Sequence, residues 1–96
     1  MTPEQKIKLQ LIIDTYGTTP QIDMAIEECS ELIKALLKAR RGKDEPEVLR
    51  DAIIDEIADV EIMLNQLKII HSCTKAVDER IDFKINRQIE RLKNYE

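Results

Sequence analysis

Apolar residues recur along this chain at helical spacing in four blocks, separated by short polar connections. Thr2-Pro3-Glu4-Gln5 reads as a capping box with proline at the first helical position, and Ile7, Leu11 and Ile12 follow at helical intervals. Tyr16-Gly17-Thr18 ends that helix, and Thr19-Pro20 opens a second that runs to about Arg41 and stops at Gly42. Across Pro46, Asp44 and Glu47 are suited to cap a third helix, whose pattern continues to about Ile70. His71-Ser72-Cys73-Thr74 is a short connection, with Ser72 or Thr74 as the next cap. A fourth helix carries Val77, Ile81, Ile85, Ile89 and Leu92. Long helices with short connections pack antiparallel, so the pattern predicts one all-α domain over residues 1–96, an up-and-down four-helix bundle.

Two carboxylates interrupt the apolar faces. Glu28 falls among Met24, Leu32, Ala35 and Ala39 on the second helix. Glu56 lies at the centre of the arc formed by Leu49, Ala52, Ile53, Val60, Met63 and Leu67 on the third. Each has an acidic neighbour three residues on, Glu31 and Asp59, on the same face and about 4.5 Å further along the axis. In an antiparallel hairpin, facing positions share a constant sum of residue numbers. Glu28 with Asp59 and Glu31 with Glu56 have the same sum, as do Met24 with Met63 and Ala35 with Ala52. The midpoint of that pairing falls between Lys43 and Asp44, inside the expected loop. Four carboxylates are thereby set at one level, bracketed by small or flexible apolar residues.

Composition narrows the class. Of the 96 residues, 43% are hydrophobic, 35% charged and 3% aromatic; two glycines and three prolines leave little for hairpin turns. A net charge of −4 argues against a general nucleic-acid binder. No apolar run reaches membrane-spanning length, and the start MTPEQKIK has no apolar leader core, so a cytoplasmic protein is expected. Cys29 and Cys73 are too few for a disulfide framework, and Cys29 reads as a small core residue. At this length a helical chain often completes its burial by oligomerising.

Facing carboxylates in a partly dry cleft cost on the order of several kcal/mol unless some are protonated or a multivalent cation sits among them. An all-oxygen donor set suits Mg²⁺ first and Mn²⁺ second. A diiron site would want Glu-x-x-His pairs, and the single histidine, His71, lies beyond this level. The competing possibility is a surface ion-pair network reached by Lys34, Lys38 or Arg50. On the fourth helix Arg80, Lys84, Arg87 and Arg91 form a stripe bordered by Gln88, a cationic row suited to polyphosphate or simply to solvent. Lys38, Arg40, Arg41 and Lys43 fit the helix dipole near the second helix's end.

Glu27-Glu28-Cys29-Ser30-Glu31 followed across a loop by Glu56-Ile57-Ala58-Asp59 resembles the MazG-like all-α nucleoside triphosphate pyrophosphohydrolases, over roughly residues 20–95. The resemblance implies a MazG-like bundle and cleavage of an NTP or dNTP between the α and β phosphates, giving a monophosphate and pyrophosphate. It implies Glu28, Glu31, Glu56 and Asp59 as Mg²⁺ ligands, with one of them or Glu27 activating water. Lys84 and Arg91 would meet the phosphates, with Arg87 of the same basic stripe as a further candidate phosphate contact, and Gln88 takes a place held by Asn in some branches, near base or sugar. A homodimer or homotetramer is implied too. Phosphoribosyl-ATP pyrophosphohydrolase resembles the same pattern, and a non-catalytic helical module that binds metal or a basic partner is the alternative outside enzymology.

Overall fold

The computed structural model describes residues 1–95; residue 96 of the expected domain lies outside them. Its elements are four helices, α1 (Pro3–Tyr16), α2 (Thr18–Arg41), α3 (Pro46–Ile70) and α4 (Thr74–Leu92), with no strand among the described residues. The expected all-α class therefore holds.

Helix ends follow local chemistry. At α1 the Thr2 hydroxyl accepts from the Gln5 backbone N–H at 3.1 Å, while the Gln5 side chain accepts from the Thr2 N–H at 2.9 Å. Gly17, at φ 96°, lets α1 and α2 follow with a single residue between them, and α2 begins at Thr18 without a side-chain cap. Gly42 closes α2 in the left-handed conformation. The expected caps at α3 and α4 are absent: Glu45 and Cys73 hold those positions with no side-chain bond. Asp44 turns back instead to Lys38, 3.4 Å away.

α3 ends in a Schellman arrangement, with the Cys73 N–H donating to Lys68 O at 3.0 Å and the Ser72 N–H to Ile69 O at 3.1 Å. Ser72 carries the left-handed φ of 50° that glycine usually supplies. An L-residue there costs about 1–2 kcal/mol, against about 0.5–1 kcal/mol for the extra chain entropy of glycine. Ser72→Gly is therefore expected to stabilise by about 0.5–1 kcal/mol, seen as a rise in melting temperature; a fall would contradict it.

The core lies where α1 covers the α2–α3 hairpin. Leu9 and Ile13 of α1 are buried with Ala25 of α2 and Met63 of α3, whereas Ile7 and Leu11, placed inward by the sequence pattern, face out. α2 and α3 pack along each other most extensively, and α1 touches both. α4 packs only on α3. Val77 is half-buried, but Ile81, Ile85, Ile89 and Leu92 are exposed, so the expected core face of α4 is not core within this chain. The radius of gyration, 16.7 Å, exceeds the roughly 13 Å of a compact 100-residue domain. The four helices are consistent with an all-α bundle in which α4 is held by α3 alone. Cys29 is exposed as well, against the core role expected of it, because it sits on the flank of α2 rather than on its α3-facing seam.

Candidate metal centre

The α2–α3 hairpin adopts the register inferred from residue numbers. Just beyond the core covered by α1, carboxylate oxygens of Glu28, Glu56 and Asp59 lie within 4.8 Å of one another, and all three residues are half-buried. Heptad-like spacing brings them together. Residues 21, 24, 28, 31 and 35 of α2 advance by alternating steps of three and four, mirrored by 66, 63, 59, 56 and 52 of α3.

Electrostatics at this level are unrelieved. Burial, then the Asp59 charge and a hydrogen bond with Asp59, push the Glu28 carboxyl above its usual 4.5, with Glu56 and Glu27 adding to the effect. Burial likewise raises Glu56, followed by the charges of Asp59, Asp55 and Glu31. Every influence on the two groups acts in this upward direction. Oε2 of Glu56 is buried and has no hydrogen-bond partner.

Glu31 stands at the edge of the group. It is half-buried and joined at 3.3 Å to Lys34, so the ion-pair alternative describes this one acid. Lys38 is engaged with Asp44, and neither it nor Arg50 forms an ion pair with the three clustered acids among the described residues. Glu27 is exposed beside Glu28.

An oxygen-ligated Mg²⁺ has bonds of about 2.0–2.1 Å, so donors on opposite sides of the ion are about 4.2 Å apart. Three carboxylates with oxygens within 4.8 Å of one another, one of them without a hydrogen-bond partner, form an all-oxygen donor set that could hold a metal ion.

The cationic stripe does not join this centre within one chain. Lys84, Arg87, Gln88 and Arg91 are exposed, and α4 makes no packing contact with α2. Arg87 lies over the Phe83 ring, 5.8 Å from its centroid. A cleft of about 510 Å³ opens between α3 and α4, lined in part by Leu64, Leu67, Val77 and Ile81; none of the four acids lines it. The aromatic side chains available for base stacking, Tyr16, Phe83 and Tyr95, are all exposed.

A feature beyond the sequence reading is the buried pair Gln21 and Gln66, whose side chains hydrogen-bond at 2.8 Å. Their numbers share the sum that pairs Glu28 with Asp59, so carrying the same rule two turns outward would have found them.

No family model, curated protein or solved structure matches the chain.

Proposed function

We propose that this chain is a Mg²⁺-dependent nucleoside triphosphate pyrophosphohydrolase that cleaves NTPs or dNTPs between the α and β phosphates, as a housekeeping activity on cytoplasmic nucleotide pools. The observation that carries the metal is the convergence of Glu28, Glu56 and Asp59 around an unpartnered buried oxygen. The substrate class is supported by the resemblance of the two acidic motifs and by the cationic stripe on α4.

In this scheme Glu28, Glu56 and Asp59 hold the ion, and Glu31 joins them by releasing Lys34. Bound there, Mg²⁺ (or Mn²⁺) would polarise phosphoryl oxygens and neutralise their charge. Glu27 or one of the four acids orients a water toward the α-phosphorus and accepts its proton. The new bond joins the water oxygen to that phosphorus. The bond to the α–β bridging oxygen breaks, and pyrophosphate leaves with the electron pair. Lys84, Arg87 and Arg91 neutralise the leaving phosphates, with Gln88 near the sugar or base.

A second copy of the chain completes this arrangement. The exposed α4 side chains Ile81, Ile85, Ile89 and Leu92 need cover, and the stripe beside them needs to reach an acidic centre that its own chain does not bring close. A homodimer or homotetramer provides both.

The deciding experiment is product analysis over a panel of NTPs and dNTPs, with Mg²⁺ and with a chelator. Metal-dependent release of a nucleoside monophosphate and pyrophosphate is expected. Release of orthophosphate would place the cleavage at the wrong bond, and absence of turnover would leave the acids as a metal- or partner-binding cluster.

A further inference from the structure

Gln66, at 2% exposure, is the largest fully buried side chain among the described residues, and Gln21 is 7% exposed; the two hydrogen-bond across the α2–α3 hairpin. A buried amide pair gives little net stability compared with apolar side chains of the same shape, because desolvation offsets much of the bond. Its distinctive contribution is selection. The two amides share a hydrogen bond at one sliding position of α2 along α3, and at any other they are buried apart.

Between the amides and the loop, the positions that face each other in this register are Met24 and Met63, then the mutually repelling acids, then Ala35 and Ala52, flanked by the half-buried apolar side chains Leu32, Ile53 and Val60. None of these facing pairs is a polar match that marks one register. Methionine adapts to many neighbours, and alanine resists little. The loop end is tied back by one contact between side chains that are 60% and 45% exposed, Lys38 to Asp44. A slide of one turn moves facing residues apart by about 5 Å, enough to separate Glu28 from Asp59. Gln21 and Gln66 lie seven residues, two turns, from Glu28 and Asp59 on the same seam.

We infer that the Gln21–Gln66 amide pair is a positioning pair that sets the register of α2 against α3 and so holds Glu28, Glu56 and Asp59 at one level. The inference concerns the same centre as the proposed function and rests on it only where metal affinity is the readout.

The test replaces both amides with unbranched apolar side chains of similar size, Gln21→Met with Gln66→Met, and in a second variant with leucine at both positions. Register is read from the distance between spin labels on Cys29 and on V48C, in a Cys73→Ser background diluted with unlabelled chain. Cys29 and Val48 are both exposed. Mn²⁺ affinity is measured on the unlabelled proteins. Expected are helical, cooperatively melting variants with unchanged or raised melting temperature, a label distance that broadens or shifts by about 5 Å, and at least a ten-fold weaker affinity for Mn²⁺. A purely structural pair would change melting temperature and leave the label distance and metal affinity alone, which would overturn the inference. Loss of cooperative folding in both variants would also overturn it, because the amides would then be holding the core together rather than choosing its register. If the unsubstituted chain binds no Mn²⁺, the metal reading fails on its own, and the label distance alone decides the register.

Discussion

Glu56→Gln is expected to lower pyrophosphate release by at least about a hundred-fold at saturating Mg²⁺ while leaving the helices intact. The size follows from the role. A metal ion stabilises transition-state charge by several kcal/mol, and each 1.36 kcal/mol is a factor of ten in rate. Among the described residues, Glu56 supplies the one buried carboxylate oxygen without a protein partner, so its replacement removes the donor with no competing contact. The same change should make the metal-free protein slightly more stable at neutral pH. It removes a charge that burial disfavours and that lies near Asp59, Asp55 and Glu31. Lost activity combined with a higher melting temperature in chelator identifies a functional carboxylate, since a structural one would lose stability. Glu61→Gln on the same helix is the control: Glu61 is exposed, lies outside the acidic cluster, and should leave turnover unchanged. Full activity in Glu56→Gln would end the hydrolase proposal in its present form.

The acidic centre was legible from sequence because helical periodicity and antiparallel pairing are both arithmetic. Once Glu28 and Glu56 were seen to interrupt apolar arcs, residue numbers alone set them level, and the hairpin takes that register. What the periodicity left open was which apolar faces a single chain can cover. Ile81, Ile85 and Ile89 satisfy the helical pattern as well as Leu9 and Ile13 do, yet the first three are exposed and the last two buried. An amphipathic stripe records that a face will be covered and says nothing of whether the cover comes from the same chain.

The caps show a different limit. The Thr2 cap is legible in sequence because a capping box is a local, reciprocal pair of bonds. Asp44 had the right type and position to cap α3, but Lys38 of the preceding helix competes for it, and that contact depends on the folded hairpin. Glu31 is expected beside the other three acids, yet it lies outside their cluster and its carboxylate pairs with Lys34 one turn away. Gln21 and Gln66 leave no such mark in the sequence, because a glutamine facing a core carries no charge to set it apart.

Without metal, the protein should lose stability as pH rises from the acidic range toward neutrality, and millimolar Mg²⁺ should remove that loss. Burial and mutual repulsion hold the Glu28 and Glu56 carboxyls above 4.5 in the folded chain. The folded state therefore binds more protons than the unfolded state over the interval between the ordinary value and the raised ones. Stability falls with pH wherever the folded state is the more protonated, so the penalty is absent below about pH 4.5, grows as the raised groups ionise and is complete above them. A divalent ion replaces the missing protons and binds the folded state alone. At a hundred times its Kd it adds about 2.7 kcal/mol, and each kcal/mol corresponds to a rise of roughly 4–8 °C in melting temperature for a domain of this size. Melting curves from pH 4 to pH 8, in chelator and in Mg²⁺, should diverge with rising pH and converge at the acidic end, where protons and metal compete for the same oxygens. Glu56→Gln should flatten the chelator curve and shrink the gap between the two. Parallel curves with no metal-dependent gap at pH 8 would mean that Glu28, Glu56 and Asp59 do not bind the ion, whatever other acids of the chain contribute to the slope.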